Sequence, residues 1–189
     1  MILRASTWQT VGPFFSIGLS PRYITDIAGS DASGERIFIQ GRVFDGDLAP
    51  ISDALLEIWQ ANSHGKYAHP EDTQEKLLDP EFLGHGRIPT DDNGRFAFST
   101  IRPGSVASND GSAQAPHLLV SLMMRGLLRR LVTRIYFPDE CLNETDEILR
   151  LVEPARRQTL LLIPDSRKPN CFSWDIHMQG AAETVFFDF

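Results

Sequence analysis

The sequence is poor in cysteine, has no excess of positive charge and contains no long apolar run. Its 189 residues include two cysteines, Cys141 and Cys171, without metal-type spacing, and we interpret them as reduced thiols, with a disulfide as the alternative. A net charge of −7 argues against nucleic acid as a ligand, because its binders need clustered positive charge. The apolar runs are too short to span a bilayer, and the N-terminus lacks the apolar core of a signal peptide. We therefore predict a cytoplasmic protein that binds neither nucleic acid nor membrane.

Short apolar runs separated by turn residues fill most of the sequence. Residues 41–67 hold two such runs joined by a loop rich in Asp, Gly and Pro, which indicates a hairpin or a connection between two strands. Helical patterns are weak, with a short helix expected only around 143–151. We predict an all-β fold, a predominantly antiparallel β-sandwich with long loops. The other predicted strands lie at 35–41, 95–99, 117–123, 130–137, 158–163, 172–178 and 184–187.

The length is that of one domain with an N-terminal extension. Residues 1–35 look mostly irregular, whereas a strand pattern begins at Glu35 and places Ile37 and Ile39 on one face. We predict an irregular N-terminal arm over residues 1–35 and a β-sandwich domain over residues 36–189.

Several short motifs stand in a characteristic order along the chain. They are LEIWQAN (56–62), GKY (65–67), TDDNGRF (90–96), IRPG (101–104), APH (115–117) and RIYF (134–137). On these motifs, the chain resembles the intradiol ring-cleaving dioxygenases over nearly its whole length. Within that family it is more similar to the α subunits of the two-chain members that cleave protocatechuate. This closer match is supported by QTVGPFF (9–15), MRG (124–126) and GAAETVFFDF (180–189).

The resemblance implies an oxidoreductase that uses O2 and a non-haem Fe(III) ion. The implied reaction opens the ring of protocatechuate between its two hydroxylated carbons and gives 3-carboxy-cis,cis-muconate, in bacterial aromatic degradation. In iron-bearing members, two tyrosinates and the two histidines of a His-X-His pair hold the metal. Such a pair suits a strand, because residues two apart point to the same face.

Two of the four implied ligand positions carry a metal ligand in this sequence. Tyr67 and His117 match the first tyrosine and the first histidine, whereas Val106 and Leu119 stand at the other two positions. Gln114 stands near the position of an arginine in iron-bearing members. Aliphatic side chains do not bind iron, and we expect them to fill the space of the missing ligands. The resemblance therefore implies a vestigial metal site, and we predict that the chain alone binds no metal and is inactive.

If this chain does not bind the iron, another chain of the enzyme must bind it. The resemblance implies that a β subunit binds Fe(III), and that the N-terminal arm of this chain contributes to partner contact and to the pocket wall. Carried over by motif, the substrate-binding positions are Thr10, Pro13, Phe14 and Arg125. Arg125 is expected to orient the substrate carboxylate by charge-assisted hydrogen bonding. The chain would thus complete the substrate pocket, support the β subunit and build a larger αβ oligomer.

The same residues also have structural interpretations. Tyr67 and His117 would satisfy backbone groups as remnants of the former site. Arg125 would form a surface ion pair, and Thr10 would hydrogen-bond within its own turn while its neighbours anchor the arm.

Two other functions compete with the dioxygenase subunit. One is a non-catalytic β-sandwich interaction module, in which the likeness to an active site is only ancestry. The other is a self-sufficient intradiol catechol dioxygenase, against which Val106 and Leu119 argue. A metal site made by His64, His69 and His85 is disfavoured, because their spacing matches no standard cluster.

Overall fold

The computed structural model describes residues 6–108 and 111–188. The first five residues of the predicted arm, residues 109–110 and Phe189 lie outside the described residues. The helices are α1 (Pro13–Leu19) and α2 (Glu147–Leu151), with 3-10 turns at Ser20–Arg22, Cys141–Glu144 and Pro154–Leu160. The strands are β1 (Arg36–Phe44), β2 (Leu55–Trp59), β3 (His85–Pro89), β4 (Arg95–Ile101), β5 (Val106–Ala107), β6 (Ala113–Gln114), β7 (His117–Met123), β8 (Leu131–Tyr136), β9 (Ile163–Pro164), β10 (Cys171–Ser173) and β11 (Ile176–His177).

Two sheets form the body of the domain. One sheet is wholly antiparallel, in the order β3-β2-β7-β8. The other is centred on β1, which pairs with β4 in antiparallel on one edge and with β10 and β11 in parallel on the other, while β9 pairs with β10. Strands β5 and β6 form a separate two-stranded sheet. The predicted β-sandwich, predominantly antiparallel, is confirmed.

Alternate residues of the strands form the core between the two sheets. On β7, Leu118, Val120 and Leu122 are fully buried, whereas Leu119 and Ser121 are half-buried on the opposite face. This is the period-2 pattern of a strand with one face in the core. The outer face of β7 is thereby left to the loops that build a pocket.

The end of β2 ties the two sheets together. The loop after β1 leads to β2 in the other sheet, so residues 41–67 hold a connection between strands and no hairpin. The buried Gln60 side chain donates from Nε2 to the carbonyl of Ile101 (3.0 Å) and accepts at Oε1 from the hydroxyl of Thr100 (2.7 Å). Because a buried amide without partners is costly, these bonds fix the start of the following loop.

The structure differs from the sequence-based expectations in several segments. The predicted strand at 184–187 is not formed, since only Phe187 makes an isolated bridge, to Val132, and the strand β3 was not predicted. The arm is not wholly irregular, since Pro13 opens the short helix α1, and Ile27 and Ala28 are fully buried in the core. The predicted strand at 158–163 is wrong over its first half, because the chain forms a 3-10 turn from Pro154 through Leu160, and strand β9 begins only at Ile163. In the described ranges both cysteines are free, and no helix is long and apolar enough to cross a membrane.

Candidate functional site

A pocket of about 700 Å³ lies on the outer side of the four-stranded sheet. We call it the Tyr67 pocket. Three of the four vestigial ligand positions, Tyr67, Val106 and His117, line it, although they are far apart in the sequence. Leu119 lies two residues beyond His117 on β7 and borders a neighbouring cavity of about 670 Å³. The structure therefore brings three of the four predicted positions into one pocket, with the fourth in the neighbouring cavity. The remaining lining residues are Trp59, His69, Glu71, Asp72, Thr73, Gln74, Ala107, Ser108, Gln114 and Arg134.

A tight loop after β2 places Tyr67 in this pocket. Asn62, which is buried, accepts at its side-chain oxygen from the backbone N–H groups of His64 (3.0 Å) and Lys66 (2.9 Å). Gly65 has a φ of 76°, and a Cβ there would lie 1.9 Å from the carbonyl oxygen of Ser105. Glycine is thus required where this loop packs against the segment that leads to β5.

The Tyr67 ring lies parallel to the indole of Trp59, with ring centroids 5.9 Å apart and planes at 5°. Its backbone N–H donates to Asp72 (2.7 Å), whose carboxylate also pairs with Lys66 at 3.2 Å. Burial would raise the pKa of Asp72, but hydrogen bonds from Tyr67, Gln74 and Lys66 outweigh it and lower the pKa to about 2. Burial raises the pKa of the Tyr67 phenol, although the charge of Arg134 opposes this. The phenol is therefore protonated near neutral pH.

His117 is held by a chain of hydrogen bonds that starts at Asp146. The fully buried Asp146 carboxylate accepts from the backbone N–H of Ala115 (2.9 Å) and from the phenol of Tyr136 (3.1 Å). The carbonyl of Ala115 lies 2.7 Å from Nδ1 of His117, so Nδ1 carries the proton and Nε2 the lone pair. Burial, followed by the charge of Arg134, lowers the pKa of His117 to about 4. The ring is neutral and oriented, in the state that a metal-binding histidine needs.

The pocket does not fit iron, because half of its implied ligand positions are aliphatic. Val106 is buried on β5, and Leu119 is half-buried on β7, and neither side chain has an atom that binds a metal. Among residues 6–108 and 111–188, no group of three or more His, Cys, Asp or Glu side chains is placed to hold a metal ion. Val106 lines the pocket of about 700 Å³, whereas Leu119 lines the neighbouring cavity. That these side chains fill the space of the missing ligands stays a prediction. Tyr67 is stacked on Trp59 and His117 is bonded to Ala115, so each is held by its own neighbours in the pocket lining.

Arg134 is a pocket residue that the sequence did not point to. It lies on β8 opposite Leu119 of β7, and its Nη1 donates to the side-chain oxygen of Gln114 (3.0 Å). Its charge acts on both Tyr67 and His117. In the sequence, Arg134 follows Arg129 and Arg130 closely and reads as part of an arginine-rich surface segment. The register between β7 and β8 is what places it in the pocket.

Three of the four predicted substrate-binding positions, Thr10, Pro13 and Phe14, lie in the arm, and Arg125 follows β7. Thr10, Pro13 and Arg125 lie close together in the structure. The hydroxyl of Thr10 accepts from the backbone N–H of Gly126 (2.8 Å). Pro13 and Arg125 line a small cavity of about 210 Å³, where the guanidinium of Arg125 pairs with Asp53. We call Thr10, Pro13, Asp53 and Arg125 the Arg125 surface. The side chain of Arg125 is 70% exposed.

Phe14 points away from this cavity, because its side chain is on the exposed side of α1 and is 84% accessible. Phe15, the next residue, lines the cavity instead. An exposed phenylalanine beside a cationic surface is suited to contact with another molecule. The substrate-binding roles of Thr10, Pro13, Phe14 and Arg125 stay predictions.

Comparison with known proteins gives one consistent family. The profile of a dioxygenase family (Dioxygenase_C) matches residues 12–180. The α chain of protocatechuate 3,4-dioxygenase from Burkholderia cepacia is 38% identical over 200 residues, which cover 98% of this chain and 98% of that relative. The β chain from that organism is 39% identical over 164 residues, covering 86% of this chain and 66% of the relative. Among solved structures, 3-chlorocatechol 1,2-dioxygenase from Rhodococcus opacus 1CP aligns with a TM-score of 0.64 at 26% identity, covering 82% of this chain and 64% of that one.

Proposed function

Because the chain belongs to this dioxygenase family, we propose that it is the α subunit of an αβ protocatechuate 3,4-dioxygenase. In this function the enzyme joins O2 to protocatechuate and opens its ring to 3-carboxy-cis,cis-muconate. The iron is bound by the β subunit, and this chain completes the substrate pocket and supports the partner. The α chain relative, which is matched over nearly its whole length, supports this assignment.

The observation that carries the proposal is the pair Val106 and Leu119. A ferric ion needs oxygen or nitrogen donors, and this chain offers aliphatic carbon at two of the four implied positions. Tyr67 and His117 alone make an incomplete site. An iron enzyme with such a chain therefore needs its metal from another subunit, and relatives named α and β chains of one enzyme fit that division.

The Arg125 surface is the part of this chain that we propose faces the reacting substrate. Arg125 holds a full positive charge at the protein surface, and its guanidinium can bind a carboxylate through two parallel hydrogen bonds. Its ion pair with Asp53 is largely exposed and is therefore weak, so a substrate carboxylate can compete for it. Thr10 fixes the backbone beside Arg125 through its bond to Gly126. Phe14 supplies an apolar wall once the partner covers it.

The oligomer and the compartment follow from the same proposal. The chain assembles with β subunits into a higher-order αβ oligomer, because the substrate pocket is shared between the two chains. We place it in the cytoplasm, where thiols such as those of Cys141 and Cys171 stay reduced.

Metal analysis of the purified protein tests the proposal. The chain is produced alone and together with the β chain of the same enzyme, and iron content and O2 consumption with protocatechuate are measured for both. We expect no bound iron and no activity for the chain alone, and one iron per αβ unit with activity for the complex. Iron and activity in the chain alone would overturn the proposal and favour a self-sufficient dioxygenase. An active β chain whose rate and KM are unaffected by this chain would favour a non-catalytic interaction module.

A further inference from the structure

Asp53 is the one ion-pair partner of Arg125 among residues 6–108 and 111–188. The Nε–H of Arg125 donates to a carboxylate oxygen of Asp53, and both side chains line the small cavity of about 210 Å³. We propose that Asp53 competes with the substrate carboxylate for Arg125 and thereby sets the affinity of the αβ enzyme for protocatechuate. The role of Asp53 rests on the proposed function, in which Arg125 contacts the substrate.

Strand register places the two residues opposite each other. Strands β2 and β7 are antiparallel, with Leu55 opposite Met123. Continuing this register by two residues on each strand brings Asp53 opposite Arg125, where side chains of opposite charge attract each other. The ion pair therefore follows from the sheet of this chain and needs neither substrate nor partner to form.

Of the two side chains, that of Asp53 is the one held in place. The next residue, Ala54, is buried, and its backbone N–H donates to the hydroxyl of Thr90 (3.0 Å). The carbonyl of Ala54 accepts from the backbone N–H of Thr90 (3.0 Å). The side chain of Asp53 is 27% exposed, well below the value for Arg125. The carboxylate thus stays beside the cavity, while the longer side chain of Arg125 can turn toward a ligand.

The charges explain why Asp53 opposes substrate binding. Nε is the one nitrogen of the Arg125 guanidinium with an acceptor among the described residues, so the two terminal nitrogens are left to donate to a carboxylate. A substrate carboxylate bound there would lie near a second negative charge, and like charges repel. Binding must therefore displace Asp53 from the guanidinium or proceed against its charge. Either way affinity is lost, and the loss is modest because the pair is exposed and screened.

Two other roles of Asp53 predict different results. If Asp53 oriented Arg125 for the substrate, removing its charge would raise KM. If the ion pair were only structural, removing the charge would leave KM unchanged. Competition for the guanidinium predicts a lower KM when the charge of Asp53 is removed.

Kinetics of the αβ complex test the proposal with Asp53→Asn, which removes the charge and keeps the shape. Ring opening of protocatechuate gives KM and kcat, and 3,4-dihydroxybenzamide, in which an uncharged amide replaces the carboxylate, gives an inhibition constant. We expect Asp53→Asn to lower KM by roughly two- to fivefold, with kcat and the inhibition constant of the amide unchanged. Asp53→Glu keeps the charge and should keep KM near the wild-type value. An unchanged or raised KM in Asp53→Asn, or an equal gain in affinity for the amide, would overturn the proposal.

A double variant and a charge-matched control show whether the effect passes through Arg125. In Arg125→Ala, adding Asp53→Asn should have a smaller effect on KM than in the wild-type chain, because the competition for the guanidinium is gone. A gain of the same size there would mean that Asp53 acts without Arg125 and would refute the competition. Asp139→Asn removes the same charge from another exposed ion pair, with Arg102, and should leave KM unchanged. If Asp53→Asn fails to assemble with the partner, Asp53→Ser provides a second uncharged variant.

The role of Asp53 and the proposed function fail in different ways. If Arg125→Ala raises KM but Asp53→Asn does not lower it, the proposed function stands and the competition is refuted. If Arg125→Ala leaves KM unchanged, or the chain alone binds iron and is active, the proposed contact of Arg125 is itself wrong and the role of Asp53 is refuted with it.

Discussion

The Tyr67 pocket and the Arg125 surface differ in cavity volume and in the binding groups that they offer. The pocket is a wide cleft of about 700 Å³, in which His117 is bonded to Ala115 and Tyr67 is stacked on Trp59, but its set of metal donors is incomplete. The Arg125 surface carries a chemically complete group for carboxylate recognition, yet that group is 70% exposed beside a cavity of only about 210 Å³. The Tyr67 pocket thus has the volume of a ligand site but lacks two metal donors, whereas the Arg125 surface has a carboxylate-binding group but little enclosed volume.

The two regions differ in how far they depend on a partner. The side chains that line the Tyr67 pocket all belong to this chain, and hydrogen bonds within the chain hold them, as in the bond of His117 to Ala115. Exposed charges are screened and are worth little, so Arg125 becomes effective only when another surface covers it. We therefore expect the Arg125 surface to depend on the partner more than the Tyr67 pocket does.

The largest effect is expected from completing the donor set of the pocket. Val106→Tyr together with Leu119→His places an oxygen and a nitrogen donor at the two aliphatic positions. We expect the variant chain, purified alone, to retain ferric iron, whereas the wild-type chain retains none. Iron per chain is measured by elemental analysis, and binding by a phenolate appears as a visible charge-transfer absorption band.

Two further variants check that the iron occupies this site. Tyr67→Phe in the rebuilt chain should weaken the band, because one phenolate is removed. Arg134→Gln should raise the iron content, since a fixed positive charge on the strand next to position 119 repels a cation. A rebuilt chain that is folded but free of iron would show that the four positions do not converge as the resemblance implies.

The fold was more predictable than the site, for reasons visible on β7. The run of apolar residues at 117–123, bounded by polar and turn residues, is a local signal, and it predicted the strand correctly. The strand expected at 158–163 failed because Pro154 starts a 3-10 turn, in which the Thr159 hydroxyl bonds back to the carbonyl of Arg156. Apolar content alone does not separate such a turn from a strand.

The site depends on contacts that sequence spacing does not encode. The resemblance supplied Tyr67 and His117, but nothing local predicted that Arg134 would join them, because strand register decides its position. Nor did the sequence predict the volume of the pocket, since that depends on how the loops around β2, β5 and β7 pack together. Asp146 was missed as well, although Asp before a short helical pattern is a recognisable N-cap signal.

The rigidity of the pocket can be tested at Asp146. Asp146→Ala removes the acceptor for the N–H groups of Ala115, Ile148 and Leu149 and for the phenol of Tyr136. We expect a loss of about 3 kcal/mol in the free energy of unfolding, because a helix cap and buried charged hydrogen bonds disappear together. Urea denaturation measures it.

Asp139 is the matched control for this variant. It pairs with Arg102, but its side chain is 65% exposed, so Asp139→Ala should cost less than about 1 kcal/mol. Equal losses in the two variants would mean that the support of the pocket by Asp146 is no stronger than a surface ion pair.

The buried His117 makes the stability of the pocket depend on pH. Its pKa falls from an ordinary value of 6.5 to about 4 in the folded chain, so below pH 6.5 the unfolded chain takes up a proton that the folded chain does not. Stability is therefore full above pH 6.5 and falls as the pH drops toward 4, by a total on the order of 3 kcal/mol. Unfolding free energies measured across this range for wild type and His117→Gln give the contribution.

In His117→Gln this part of the pH dependence should disappear, while His64→Gln, at an exposed position, should keep it. The window is distinct from that of Asp72, whose lowered pKa of about 2 makes stability fall only below about pH 4. An unchanged slope between pH 6.5 and 4 in His117→Gln would mean that the imidazole is not buried as a neutral ring.

The smallest effect is expected at the Arg125 surface, and it should appear only in the αβ complex. Arg125→Ala removes the charge proposed to hold the substrate carboxylate, so the KM for protocatechuate should rise by roughly 10- to 100-fold while kcat changes little. Folding should be unaffected, because the ion pair with Asp53 is exposed. Arg95→Ala on the opposite sheet serves as the control and should leave KM unchanged. Identical kinetics of Arg125→Ala and wild type would remove Arg125 from the substrate site. In that case the ion pair with Asp53 would be the only role of Arg125. The Arg125 surface would then be an ordinary polar surface, unlike the Tyr67 pocket.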